Sequence, residues 1–435
     1  MLIHAEWVLP IATAPVRDGA VLVRGDLIAD VGPLDELSRA HPGEPVERND
    51  GCVLLPGLVN AHTHLALTVL GGLLPSASFD EWLPMVVRAM HALSPEALEA
   101  SVALGVRQCL EAGVTVVGEI AYGAASLRIA REAGLGGAFF WEVLGIQPDS
   151  LGRTLAEQGY PAPAADGTPA DLRTRAGISP HSPYTSGPGL LRAAYARASA
   201  EGVPCAIHVA ESHAEAELFE QGSGALTGTA GRFAMGLAPG SGITPVAYLD
   251  DLGVLDGVLA IHCVQLRGDD VDVLAAKTAG VVLCPRSNAY LREGPAPVAA
   301  LEGAGTRLAL GTDSLASNLD LDLLDEARAM RQLAPDLTAE RVVRMITTDG
   351  AGALGMGSSF GSIADGYQAD LAIFRCSADA ADPYEGLVGC AGRPSLASVM
   401  SGGEWRVRDG RALDAPDTDS VALLERARAA ISDRV

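Results

Sequence analysis

Eight short apolar runs alternate with helical patterns through the middle of this chain, and histidines and acids collect at the ends of several of them. The runs lie at 54–61, 114–120, 136–144, 175–180, 204–209, 258–263, 280–285 and 307–312. A continuous apolar run of this length, bounded by turn residues, suits a strand buried on both faces, as in a parallel sheet. Amphipathic segments separate the runs. One is 94–112, where Ser94 sits as an N-cap before an apolar face, and another is 190–202. Eight strands alternating with helices predict an α/β fold of the (β/α)8 TIM-like type, for which roughly 250 residues is typical. A doubly wound open sheet competes, but no G-x-G-x-x-G follows an early strand.

The two ends of the chain read differently. AEWVLP, GAVLVRGDLIADVG and CVLLP near the start, and GSIADGYQADLAIF and LASVMSGGEWRVRDGRAL near the end, are strand-like pieces broken by Gly, Asp and Pro. Together they predict a small β-sandwich domain assembled from residues 1–54 and 358–435, with the barrel over 55–357. The last stretch, SVALLERARAAISDRV, reads as an amphipathic helix, and the Pro/Gly/Ala-rich stretch 159–169 as an exposed loop.

Composition narrows the function classes. A formal charge of −23 over 435 residues argues against nucleic acid and anionic membranes, which need clustered Lys and Arg. The seven cysteines are odd in number and contain no C-x-x-C pair, so buried free thiols are expected rather than a disulfide framework or a thiolate zinc site. No basic n-region opens the chain and no uncharged run approaches the roughly 18 residues needed to span a bilayer. The expected location is therefore the cytoplasm. Lys277 is the only lysine, and its setting in DVDVLAAKTAG reads as a solvated helix face.

The chemistry lies at the strand ends. His62 and His64 in NAHTHL are two apart, so an extended strand turns both imidazoles to one side. His208 closes VPCAIHV, and Asp313 closes RLALGTD. Residues at C-terminal strand ends converge at the mouth of such a barrel. Three imidazoles and a carboxylate leave one position open for water, the mark of a catalytic metal site. A bound ion lowers the pKa of that water from about 16 towards 7. Zinc is the default, although iron(II) or manganese suits the same ligands. Glu211, three residues past His208, is placed to shuttle protons between water and a substrate nitrogen. His262 ends a further strand and is placed to hydrogen-bond the attacking hydroxide. Asp313 combines ligation with accepting a proton from the water. His181 is better placed for substrate contact. His4, His41, His91 and His213 lack this context, as do Glu119 and Glu142, of which Glu119 alone is a candidate for bridging a second metal.

Taken together, LPGLVNAHTHL, HVAES, IHCV and GTDS resemble the strand-one, -five, -six and -eight motifs of the amidohydrolase superfamily, and GSIADGYQADLAIF resembles its return into the small β domain. The fourth-strand region, RAGISPHSPYT, lacks the lysine that bridges two metals in many members. The chain therefore resembles the mononuclear branch, which includes methylthioadenosine/S-adenosylhomocysteine, guanine and aminodeoxyfutalosine deaminases and triazine hydrolases. The resemblance implies one divalent ion on His62, His64, His208 and Asp313, with Glu211 as proton shuttle and His262 assisting. It also implies hydrolytic deamination of a small molecule and, commonly, a homodimer.

SFDEWLPMVVRAM at 78–90 resembles the lid after strand one. There Trp82 is a candidate for packing on a ring and Arg88 for pairing with a carboxylate. Arg286, Ser287 and Asn288 are further candidates for substrate contact. The favoured substrate is an adenine nucleoside, with aminodeoxyfutalosine ahead of methylthioadenosine or S-adenosylhomocysteine. Alternatives are a guanine or triazine-type deaminase, a dechlorinase, a cyclic-amide hydrolase, or a barrel scaffold without catalysis.

Overall fold

The computed structural model describes residues 1–161, 171–228, 242–376, 382–414 and 418–432. Both ends of the chain enter one sheet. β1 (Leu2–Val8), β2 (Val16–Arg24), β3 (Leu27–Pro33) and β4 (Val46–Pro56) come from the start, and β13 (Leu371–Arg375), β14 (Leu396–Ser401), β15 (Glu404–Arg408) and β16 (Arg411–Ala412) from the end. The strand order is β16-β15-β14-β13-β4-β1-β2-β3, parallel only between β1 and β4. Ile3, Val21 and Leu54 share one core with Ile373, Ala397 and Met400, so the two chain ends fold as one unit.

The eight runs between them form parallel strands. These are β5 (Leu58–Thr63), β6 (Val114–Ala121), β7 (Gly136–Val143), β8 (Thr174–Pro180), β9 (Ala206–Val209), β10 (Leu259–His262), β11 (Gly280–Leu283) and β12 (Leu308–Leu310). They make two four-stranded parallel sheets, β5-β6-β7-β8 and β9-β10-β11-β12. Parallel bridges Ile178↔Cys205 and Thr63↔Asp313 join the sheets at both seams, giving a cyclic strand order. The first predicted run, 54–61, in fact straddles β4 and β5. Gly57 marks the break: a Cβ there would lie 2.1 Å from Thr115 Oγ1, so no other residue lets the chain pass this close to the next strand.

Strand alternation sorts the side chains into two cores. Ala138 and Phe140 of β7 join Val116, Ile261, Val282 and Ala309 inside the ring. Phe139, Trp141 and Val143 pack outward with helical residues such as Val106, Leu127 and Leu190. The helix Pro95–Leu110 starts where predicted, with Ser94 Oγ accepting from Ala97 N at 3.2 Å. Lys277 ends the helix Asp270–Lys277 and pairs with Asp250. The terminal helix spans Thr418–Ser432. Most of the predicted loop 159–169 lies outside the described residues. No helix among the described residues is long and apolar enough to cross a membrane.

One cysteine expectation is corrected. Cys376, just after β13, forms a disulfide with Cys390 at the end of the helix Pro383–Cys390. The remaining five cysteines are free and buried. The pair is 14 residues apart in a spacing that matches no motif, and only the packing of the helix beside the strand brings the two together.

Candidate metal centre and substrate cavity

The site forms at the seam where β12 returns to β5. Asn60 Nδ2 donates to Thr312 Oγ1 at 2.7 Å, and Thr312 N donates back to Asn60 Oδ1 at 3.0 Å. Asp313 N then donates to the His62 carbonyl at 3.0 Å. The strands can approach this closely because residue 311 is glycine: a Cβ there would lie 2.7 Å from His62 Cβ. At or just past the ends of β9, β10 and β12 the backbone leaves extended geometry. Ala210, His262, Cys263 and Asp313 all adopt left-handed conformations, with φ of 51°, 73°, 49° and 57°. Such residues cost about 1–3 kcal/mol each and persist where the surroundings over-determine them, commonly at functional sites.

Four imidazoles and two carboxylates meet here. The His62 ring centroid is 4.9 Å from that of His64, 5.0 Å from His208 and 5.5 Å from His262. Asp313 Oδ1 faces His62 Nε2 at 3.4 Å and His64 Nε2 at 3.6 Å. Glu211 Oε1 lies 3.5 Å from His262 Nε2. Ligand atoms of His62, His64 and Asp313 lie within 4.8 Å of one another, and so do those of His62, His208 and His262.

The outer atoms of these side chains are held by neighbours, which leaves the inner atoms free. His64 Nδ1 bonds the Tyr122 hydroxyl at 3.0 Å, and His208 Nδ1 donates to the His181 carbonyl at 2.8 Å. His262 Nδ1 donates to Asn288 Oδ1 at 3.2 Å. Asp313 Oδ2 accepts from Ser287 Oγ at 2.7 Å and Ser317 Oγ at 2.8 Å. Hydrogen bonds of this kind fix the orientation and tautomer of metal-binding histidines. His62 differs: both ring nitrogens are buried without a hydrogen-bond partner. An unpaired buried polar group costs about 1–3 kcal/mol. A divalent ion bound through one His62 nitrogen would relieve part of that cost, and the donor set of His62, His64, His208 and Asp313 suits zinc and its neighbours.

The electrostatics agree with neutral ligands. Burial lowers His64 to about 3, with the nearby His62 adding to the effect, and lowers His262 to about 4. Burial likewise brings His181 to about 4 and His208 well below its ordinary value. Burial pushes Glu211 well above the usual carboxylate range, helped by Asp313 and Glu215. Burial acts on Asp313 in the same sense, but the closeness of His62, His64 and His262 outweighs it, so Asp313 stays well below its ordinary value.

A cavity of about 360 Å³ opens above the centre. Its floor carries His64, His208, Glu211, His262 and Asp313, and the helix Phe79–Met90 supplies an apolar wall. Trp82 lines this wall, with its indole nitrogen donating to the Ala316 carbonyl at 2.8 Å. His181 lines the cavity and is anchored by Thr185 at 2.7 Å. Arg88 is exposed and does not line the cavity, because it lies away from the helix face that carries Trp82 and Val86. Arg286 is drawn off by Asp320 at 2.7 Å and Glu326 at 3.7 Å. Ser287 and Asn288 hold Asp313 and His262 rather than lining the cavity. Glu119 accepts from Thr63 Oγ1 at 2.7 Å and from Leu65 N, beneath the histidine pair, and its oxygens are committed there. The sequence reading missed Tyr122 and Ser317 and passed over Glu142 and His91, both of which line the cavity. The only signal for Tyr122 and Glu142 was their position at the ends of apolar runs.

Comparison with known proteins follows the same lines. The model of the amidohydrolase family matches residues 53–406. A 5-methylthioadenosine/S-adenosylhomocysteine deaminase of Pelotomaculum thermopropionicum is 32% identical over 82% of this chain and 80% of its own. An aminodeoxyfutalosine deaminase of Deinococcus radiodurans is 34% identical over 78% and 81%. The crystal structure of an adenosine deaminase from Xanthomonas campestris with bound zinc superposes with a TM-score of 0.85, at 26% identity over 99% of this chain and 98% of that one. The ligand-bearing strand ends, the family match along most of the chain and these relatives agree: the chain belongs to the amidohydrolase family.

Proposed function

We propose that the protein is a metal-dependent hydrolytic deaminase of adenine nucleosides. In this reading the cyclic strands form a (β/α)8 barrel over 55–357, and the terminal sheet is its small β-sandwich domain over 1–54 and 358–435. The convergence of His62, His64, His208 and Asp313 beneath a cavity that also receives Glu211 and His262 carries the reading. Relatives named as methylthioadenosine/S-adenosylhomocysteine, aminodeoxyfutalosine and 5'-deoxyadenosine deaminases, at 31–34% identity, support it.

His62, His64, His208 and Asp313 would hold one divalent ion. When bound, such an ion supplies hydroxide near neutral pH by lowering the pKa of water. Glu211, whose burial favours the protonated carboxyl, delivers a proton to the ring nitrogen beside the reacting carbon and takes one up from water. His262 is neutral, with Nδ1 committed to Asn288, so Nε2 offers a lone pair that orients the attacking water. The apolar wall holds the part of the substrate remote from the reacting carbon.

No Lys or Arg is found among the described residues that line this cavity. The candidates are methylthioadenosine and 5'-deoxyadenosine, with a neutral 5' substituent, and aminodeoxyfutalosine and S-adenosylhomocysteine, with a charged one. A screen of these four compounds and adenosine for ammonia release by zinc-loaded protein tests the reading. Release from none of them, or chloride release from a triazine instead, would refute it.

A further inference from the structure

Glu142 has no part in the chemistry above, yet it faces the cavity. It is the seventh residue of β7, in register with Ser179 of β8, and continues the inward set begun by Ala138 and Phe140. Its main-chain carbonyl accepts from Gln158 Nε2 at 3.0 Å, which anchors the strand end. The side chain is 4% exposed, and its Oε1 is buried without a hydrogen-bond partner. One carboxylate oxygen and ring nitrogens of His181 and His208 lie within 4.8 Å of one another. Glu142 therefore stands beside the centre, on the side of the substrate-facing His181.

The other polar side chains of the cavity outside the catalytic set have protein partners. Tyr122 bonds His64, Thr185 bonds His181, and His91 Nδ1 bonds the Val87 carbonyl at 2.6 Å. The helix Phe79–Met90 offers only apolar groups, including Phe79, Trp82 and Val86. A carboxyl with unused hydrogen-bonding capacity, facing a cavity with an apolar wall, needs a polar partner from the ligand. In an adenine nucleoside whose ring sits at the metal centre, the remaining ring nitrogens only accept hydrogen bonds, whereas the two vicinal sugar hydroxyls also donate and so suit a carboxylate.

We infer that Glu142 receives the 2'- and 3'-hydroxyls of the substrate and selects ribonucleosides over their deoxy forms. The inference rests on the deaminase reading for the identity of the ligand, and the test separates the two. Zinc-loaded wild type, Glu142→Ala and Glu142→Gln are compared on adenosine and 2',3'-dideoxyadenosine, by ammonia release and by calorimetric binding. A hydrogen-bonded pair of hydroxyls predicts that wild type favours adenosine by on the order of 10- to 100-fold. In Glu142→Ala that preference collapses towards one, by a larger loss on adenosine than on the dideoxy compound, with the zinc content unchanged. Glu142→Gln, whose amide still bonds hydroxyls, keeps part of the preference and guards against misfolding of the alanine variant.

Equal losses on both compounds, loss of zinc, or no preference in wild type would overturn the inference. If neither compound is deaminated but hydroxyl-dependent binding disappears in Glu142→Ala, the deaminase reading fails while Glu142 keeps this role. Absence of hydroxyl-dependent binding overturns the role whatever the turnover.

Discussion

Replacing Tyr122 by phenylalanine isolates one bond that supports the metal centre. The Tyr122 hydroxyl lies 3.0 Å from His64 Nδ1, and the two rings stack with centroids 6.0 Å apart and an interplanar angle of 28°. Phenylalanine keeps the stack and removes only the oxygen. With Nε2 turned to the ion, Nδ1 carries the proton and donates to Tyr122, an interaction that fixes the ring and makes it more basic. Losing such an outer partner typically costs 10- to 100-fold in metal affinity. The lower end applies here, because Tyr122 is only partly buried and lines the cavity, so water can take the vacated position. The expected loss is about tenfold, or about 1.4 kcal/mol at 25 °C. Competition with a chromophoric chelator measures it directly, and far-ultraviolet circular dichroism confirms the fold. Unchanged zinc affinity in a folded Tyr122→Phe protein would show that His64 is oriented by its strand alone, or that it is not a ligand.

Three further outcomes follow from the same geometry. Glu211→Gln should keep its zinc stoichiometry and lose roughly 10²- to 10⁴-fold in kcat, the usual share of a positioned proton-transfer group; full turnover would remove Glu211 from the mechanism. Gly311→Ala places a methyl 2.7 Å from His62 Cβ and 2.9 Å from His62 N, which predicts about 1–3 kcal/mol of destabilisation in urea titrations together with weaker zinc binding. A wild-type midpoint would mean that the seam yields without cost. Burial raises Glu142 to about 8 from an ordinary 4.5, so the folded chelated protein binds an extra proton between those values and loses stability as pH rises through them. The melting temperature of Glu142→Gln relative to wild type should therefore climb from pH 5 to about 8 and level off above, and a difference independent of pH would contradict the assignment.

The parts of this molecule that were legible in its sequence share one physical cause. Parallel strands covered on both faces must be apolar along their whole length, so runs such as 114–120 and 280–285 announced themselves. A polar residue at the end of such a run is conspicuous for the same reason, which exposed His208, His262 and Asp313. What stayed hidden depends on contacts between distant segments. Tyr122 reaches His64 across 58 residues, and Ser287 and Asn288 turn to Asp313 and His262 because the chain bends after β11. Arg88 and Arg286 looked equally suited to a ligand in sequence. Helix rotation sends the first to solvent, and a neighbouring Asp320 claims the second. The left-handed backbone at Ala210 and Cys263 has no compositional signature, since neither is a residue that favours it.

The ring closure and the proposed metal ligands are two views of one constraint. His62 and His64 belong to the end of β5, Asp313 follows β12, and the bridge between Thr63 and Asp313 is itself one of the two seams. Anything that seats Asp313 against the His62 carbonyl both closes the ring and completes the proposed ligand set, and Gly311 permits both by leaving room for His62. His208, from the other sheet, extends the proposed set across the ring of strands. An ion held by all four residues binds only the closed ring, and a ligand specific to the folded state adds about 4 kcal/mol when present at a thousand times its dissociation constant. That gain would offset part of the cost of the unpartnered His62 ring and of the left-handed backbone at Asp313. A strained seam of this kind is tolerable where a bound ion would lie across it, so Gly311 and the two histidines of β5 depend on one another.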